Sequence, residues 1–193
     1  LRDTVDKEML FVLGKIMYHR RMYSDALKTL VDANSLGLSS AEIYLYLGLT
    51  TMKLQDYQKA RNYAQKALYI DENLCQAWSL LGNLRMEQND WQEALRSLNR
   101  ARDCDPESPD ISGKIGIVLL NMDKPDKAAA ELEKAVDMMD DPGLFLYYLG
   151  AAYLEISEKD KADSILSEFI RTWKGDESYL ERAVKLKEKA GKR

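Results

Sequence analysis

CQAWSLLGNLRMEQNDWQEALRSLNRARDCDPES, residues 75–108, holds two runs of helical spacing separated by a break. Trp78, Leu81, Gly82 and Arg85 recur at the interval of one helical face, and Trp91, Ala94, Leu95, Leu98 and Ala101 do so again. A half-buried strand would alternate apolar and polar residues, and neither run alternates. The stretch therefore reads helix, turn, helix, with Gln88, Asn89 and Asp90 as the turn.

The same pattern extends in both directions. Glycine recurs at 14, 48, 82, 116 and 150, a constant step of 34 residues, and alanine recurs in the same step at 26, 60, 94, 128 and 162. Units of this length form helix pairs that cannot bury their apolar faces alone, so they stack. The predicted fold is all-α, an α-solenoid of antiparallel helix pairs in one domain over 1–193, with units at 7–40, 41–74, 75–108, 109–142 and 143–176. A helix-interior glycine costs about 1 kcal/mol relative to alanine. Close approach of the second helix, with the alanines facing the contact, is the expected compensation. A second small-residue ladder, Ala33, Ala67, Ala101 and Ala135, is expected to admit the next unit, and Phe169 breaks it.

Boundary residues agree with this division. Asp56 and Asp90 are placed to cap second helices, and Pro125 fits a first helical position. Ser108-Pro109 and Asp141-Pro142 mark first-helix starts. After 176 the pattern changes. Asp176 is expected to cap a final helix over 177–190, with Tyr179, Ala183, Leu186 and Ala190 on the face that covers the fifth unit. At the opposite end, Met9, Leu10 and Leu13 are expected to be partly uncovered.

Composition excludes several functions. The chain is 46% apolar and 31% charged, with a net charge of −4, too small for the field that nucleic-acid binding requires. The longest apolar run, Ile115 to Leu120, is far short of the roughly 18 residues that span a bilayer. The chain begins at Leu1 with no basic-then-apolar leader, as expected for a trimmed or processed chain. Cys75 and Cys104 are expected to be free thiols, with Cys104 filling a small apolar site in the core.

Residues 75–108 resemble the tetratricopeptide repeat: Trp78, Leu81, Gly82, Ala94, Leu98, Ala101 and Pro106 match its pattern. The resemblance covers about five units, residues 7–176. Two departures stand out. The family's usual turn glycine is replaced by Arg21, Gln55, Asn89, Asp123 and Ser157, and the terminal proline survives only as Pro106.

The resemblance implies a right-handed superhelix whose concave face is lined by first helices and receives an extended peptide or a partner's helix. The matching positions are Phe11, Leu45, Ser79, Gly113 and Tyr147; then Lys15, Leu49, Asn83, Ile117 and Ala151; then Tyr18, Met52, Met86, Leu120 and Leu154. Phe11, Lys15, Tyr18, Leu45, Leu49, Met52, Asn83, Met86, Ile117 and Tyr147 are the candidate partner-binding residues. Met repacks around varied shapes and Tyr offers contact area with one polar tip, which suits a partner surface. Glu8, Glu42 and Asp110 line one margin, so an apolar partner with a neutral or basic flank is expected. Some members of the family clamp a C-terminal carboxylate with Lys, Asn and Arg. Here Lys15 and Asn83 are isolated and the other matching positions hold Gln76, Leu80, Asp110 and Lys114, so no clamp is expected.

Nothing in the sequence points to chemistry. His19 is the only histidine, which excludes a two-imidazole metal site, and it is expected at the groove edge near Tyr18. Asp137, Asp140 and Asp141 are read as helix-end solvation rather than a calcium site. No phosphate-cradling glycine loop is present, and no cofactor or metal is expected. The predicted function is a non-enzymatic adaptor or scaffold that binds a segment of a protein partner. The alternative is an assembly module that self-associates or docks into a larger complex through its N-terminal repeat or convex face.

Overall fold

The computed structural model describes residues 6–191, and among them the regular structure is eleven α-helices with no strand. The described chain divides between Asp90 and Trp91 into two compact units.

The first unit contains α1 (Lys7–His19), α2 (Tyr23–Ser35), α3 (Ala41–Lys53), α4 (Tyr57–Ile70) and α5 (Cys75–Glu87). Gly48 explains why α3 and α4 lie so close. A Cβ there would meet Leu80 Cδ2 at 2.8 Å and the Ala60 carbonyl oxygen at 3.3 Å. Side-chain-free backbone thus compensates for the low helix propensity of glycine, as the repeat pattern predicts. Two clusters fill the unit. Leu30 and Ala33 of α2 pack with Ile43 and Leu47 of α3, and Ala60, Ala64 and Ala67 of α4 pack with Ala77, Leu80 and Leu84 of α5. Thr50 and Thr51 are buried on α3, and each donates its hydroxyl to the carbonyl four residues earlier, Tyr46 at 2.6 Å and Leu47 at 2.7 Å. Neither buries an unpaired donor.

The second unit contains α6 (Trp91–Cys104), α7 (Pro109–Asn121), α8 (Pro125–Asp137), α9 (Leu144–Glu155), α10 (Lys159–Thr172) and α11 (Glu177–Ala190). At Gly116 a Cβ would lie 2.5 Å from Leu132 Cγ and 3.1 Å from the Ala128 carbonyl, the same device that operates at Gly48. Phe169 is fully buried and packs with Leu146, Leu166 and Ala183, with Tyr179 and Leu186 of α11 at the margin. The aromatic ring that breaks the alanine ladder is therefore the surface on which α11 sits.

Turn geometry follows the period. Arg21, Gln55, Asn89, Asp123 and Ser157 all adopt left-handed backbone, with φ between 56° and 66°. Each is the residue that stands where the resemblance leads one to expect glycine. In the α3–α4 turn the amide of Gln55 donates to the Met52 carbonyl and that of Asp56 to the Thr51 carbonyl, both at 2.9 Å, so the left-handed residue closes the helix end. Asp6, Asp56 and Asp176 accept from the amides of Glu8, Lys59 and Ser178. Hydrogen bonds from the Glu8 and Lys59 side chains, and then from these amides, hold the carboxyls of Asp6 and Asp56 below the usual carboxylate range, while at Asp176 the Ser178 amide is the main cause.

Two local expectations need adjustment. Asp141-Pro142 does not begin a helix: α9 starts at Leu144 behind Gly143, whose φ of 49° turns the chain in a way proline at that point would not. Cys104 is exposed rather than filling a core site, with its thiol 3.2 Å from the Arg100 carbonyl, because the last turn of α6 runs past the packed alanines. Cys75, half-buried, lies 3.5 Å from the Asn73 carbonyl. Asp90 receives the Arg85 guanidinium at 3.2 Å, an ion pair that helix-start reasoning does not anticipate.

Candidate partner-binding face

In the first unit the candidate residues fall into two groups. The N-terminal group surrounds Tyr46. Its ring lies 5.9 Å from Phe11, 5.7 Å from Tyr18 and 6.0 Å from His19, in edge-to-face arrangements favoured by the ring quadrupole. Lys15 Nζ sits 5.2 Å from the Phe11 ring centre and 5.1 Å from that of Tyr46, and it reaches Glu42 at 2.5 Å. The Glu42 hydrogen bond raises the Lys15 pKa above its ordinary value, against the opposing effect of desolvation. Burial raises the Tyr18 hydroxyl pKa. His19 is exposed, with Nε2 3.4 Å from the Tyr46 hydroxyl.

The second group forms a concavity. Met52 and Lys53 at the end of α3, Gln55 in the turn, Tyr57 at the start of α4, and Asn83, Met86 and Glu87 on α5 line an open pocket of about 320 Å³. Three of the candidate residues, Met52, Asn83 and Met86, meet here. The turn makes the arrangement: the left-handed Gln55 reverses the chain so that Tyr57 comes beside Met52. Leu49 and Met52 are half-buried and back onto the α4–α5 cluster. Leu45 lies within that cluster and is 5% exposed, so the core takes nearly all of its surface.

In the second unit Ile117 on α7 is half-buried. Gly113, at the position equivalent to Phe11 and Leu45, does not open a hollow, because the Phe145 ring fills it. A Cβ on Gly113 would stand 2.5 Å from that ring. Tyr147 is enclosed by aromatics, with ring centres of Tyr148, Phe169 and Tyr179 at 5.2, 5.8 and 5.4 Å. Burial raises the pKa of both Tyr147 and Tyr148.

The expected acidic margin is largely neutralised. Glu42 pairs with Lys15, and Asp110 pairs with Lys114 at 2.6 Å. Among the described residues no group of three or more His, Cys, Asp or Glu is placed to hold a metal, and no helix is long and apolar enough to cross a membrane.

Two residues that organise the face, Tyr46 and Phe145, escape a reading based on first-helix positions. Each stands one or two places from a groove position and packs toward the preceding first helix. The available signals were an aromatic at Tyr46 where Val12 is the equivalent, and a second glycine at Gly113 that needs a filler.

Comparison with known proteins fits this geometry. Tetratricopeptide repeat family models match residues 41–74, 75–108 and 114–176. Protein FlbA of Caulobacter vibrioides is 33% identical over 86 residues, which are 45% of this chain and only 14% of that protein's length. Among solved structures, a thermophilic TPR protein of Thermus thermophilus superposes with a TM-score of 0.75 at 19% identity, covering 93% of this chain and 98% of its own. YrrB, described as a TPR protein with an unusual peptide-binding site, superposes with a TM-score of 0.66 at 21% identity, covering 91% and 90%. At such identities the structures speak for the fold alone. The repeat models, the 34-residue recurrence and the helix pairs agree: the chain belongs to the tetratricopeptide repeat family, an α-solenoid fold of protein–protein interaction modules that are typically non-enzymatic.

Proposed function

We propose that this chain is a non-catalytic adaptor that captures a short segment of a partner protein on the first-helix face of its first unit. The observation that carries the reading is the convergence of Met52, Asn83 and Met86 with Tyr57 on one open pocket. Thioether and aromatic walls suit an apolar side chain of varied shape. The Asn83 amide offers both a donor and an acceptor, which match a peptide backbone unit. A pocket of about 320 Å³ is at the small end of ligand sites and suits one anchoring side chain rather than a whole small molecule. The peptide-binding site of YrrB, on the same fold, supports a peptide-sized ligand.

The favoured segment is apolar at its anchor with a neutral flank, since the pairing of Glu42 with Lys15 neutralises the acidic charge that would attract a basic one. The Lys15–Glu42 and Asp110–Lys114 pairs leave no concentrated positive charge for an acidic terminus. Panning the protein against a displayed random-peptide library tests the reading. Enrichment of peptides with a large apolar anchor is expected, and failure of any peptide to enrich over a Met86→Glu control would contradict it.

A further inference from the structure

The first unit holds a second hollow, of about 630 Å³, that shares no residue with the Met52, Asn83 and Met86 pocket. Tyr44 of α3 and Asn62, Gln65, Lys66, Tyr69 and Ile70 of α4 line it. On α4 these residues stand at i, i+3, i+4, i+7 and i+8, the spacing of one helical face. Tyr69 and Ile70 are 92% and 49% exposed, so apolar surface meets water beside the polar groups.

Electrostatics decide what the hollow accepts. In a chain of net charge −4, α4 contains Lys59, Arg61 and Lys66 and neither aspartate nor glutamate. Two of these cations are engaged, Lys59 with Asp56 at 2.7 Å and Arg61 with the Gln88 side-chain oxygen at 2.5 Å. Lys66 makes no ion pair among the described residues. Its ammonium stands 5.5 Å from the centre of the Tyr44 ring and 5.9 Å from that of Tyr63, and the two rings stack on each other at 6.3 Å. The ring faces hold the charge in place without neutralising it. The Asn62 carbonyl oxygen accepts from the Gln58 amide at 3.3 Å, which leaves the two N–H donors of Asn62 for a ligand. No carboxylate is among the lining side chains, and Asp71, which follows α4, accepts the Asn73 amide at 3.0 Å.

We propose that this hollow docks an extended acidic segment of a partner protein, with an aspartate or glutamate on Lys66 and an adjoining aliphatic or aromatic side chain over Tyr69 and Ile70. Charge selects the occupant: an unpaired, ring-held ammonium and amide donors, with no carboxylate opposing them, complement an acidic side chain. Length selects a peptide. From Asn62 to Ile70 the helix rises about 12 Å, room for three to four residues of extended chain. A nucleic-acid strand would need a row of unpaired cations along its phosphates, and here a single one is presented. The hollow selects acidic ligands and the Met52, Asn83 and Met86 pocket does not, so either site can fail without the other.

The test titrates acetylated, amidated peptides carrying Glu-Leu, Glu-Phe or Glu-Trp between glycines into the isotope-labelled chain, followed by NMR. The side-chain amide signals of Asn62 and Gln65 are expected to shift to saturation, and glutamine in place of the peptide's glutamate should weaken binding by about tenfold or more. Lys66→Glu should cause a loss of the same size. Arg20→Glu reverses an exposed cation that lines neither pocket and should bind like the parent. Equal binding of the glutamate and glutamine peptides, or of the parent and Lys66→Glu, would overturn the proposal. So would shifts at the Asn83 side chain without shifts at Asn62 and Gln65, which would put the acidic segment in the other pocket, and so would the absence of any shift up to about 5 mM peptide.

Discussion

Lys15 and Glu42, 27 residues apart on α1 and α3, form a 2.5 Å ion pair with the ammonium held between the rings of Phe11 and Tyr46. A lysine that resembled a free groove cation is therefore a structural tie between consecutive first helices. It draws Glu42 out of any role in attracting a basic ligand, and Glu42 draws Lys15 out of any role in holding a carboxylate. Peptides ending in a free carboxylate and their amidated forms should bind this chain equally; loss of binding on amidation, read by fluorescence anisotropy, would show a clamp that the pairing argues against.

The same pair sets a pH dependence. The folded Lys15 pKa lies above its ordinary value of 10.5 because Glu42 bonds the charged form. Its contribution is therefore complete below about pH 10.5 and is lost as pH rises through the folded value. Both side chains are partly exposed, at 32% and 50%, which limits the pair to about 1 kcal/mol or less. Urea unfolding should show Glu42→Gln less stable than the parent at pH 7, with the gap closing as pH rises past 10.5 and through the higher folded value.

Five non-glycine residues in left-handed turns carry a removable cost. A residue with a Cβ pays roughly 1–2 kcal/mol there, partly offset by the roughly 0.5–1 kcal/mol of chain entropy that glycine loses on folding. Gln55→Gly should therefore stabilise the chain by about 0.5–1 kcal/mol, and Asn89→Gly by less, since asparagine tolerates this backbone better. Gln55→Val should destabilise. Thermal melts of the three variants decide the order.

Glycine inside the helices behaves in the opposite way. Gly116→Ala would place its methyl 2.5 Å from Leu132 Cγ and 3.1 Å from the Ala128 carbonyl. Backbone does not yield as a side-chain tip does, so overpacking of about 1–3 kcal/mol should outweigh the roughly 1 kcal/mol propensity gain of alanine. A net loss of stability in chemical denaturation is expected; a gain would mean that the glycine ladder is not a packing device.

At the far end, Asp176 caps α11 through the Ser178 amide, which holds its carboxyl below the ordinary 3.8. The cap contributes above that value and fades as pH falls through the lower folded pKa. Asp176→Ala should speed amide exchange in the first turn of α11 at neutral pH, and acidifying the parent from 3.8 down through the lower folded value should have the same effect.

The fold was legible because its evidence repeats. Five copies of one spacing outweigh any local ambiguity, and the caps at Asp56 and Asp176 and the proline at Pro125 stand where their chemistry requires. The face was legible only in part. Repeat position tells which way a side chain leaves its own helix, but not what a neighbouring helix sends toward it. Leu45 is claimed by the α4–α5 cluster, Gly113 is filled by Phe145, and Tyr46 gathers Phe11, Tyr18 and His19. Each of these is decided by packing between repeats, where residue size in one unit determines the space left in the next. The Asp141-Pro142 start failed for a local reason, since Gly143 takes the turn conformation itself and delays the helix to Leu144.

The central claim is that the Met52, Asn83 and Met86 pocket anchors the partner segment. Calorimetric titration of one library-enriched peptide into the parent, a Met86→Glu variant and a Tyr69→Ser variant tests it most directly, Tyr69 being exposed and absent from that pocket. With helical content unchanged by circular dichroism, Met86→Glu should weaken binding by about 30-fold or more, as for an anchor residue, while Tyr69→Ser binds like the parent. Equal affinity for the parent and Met86→Glu would contradict the account.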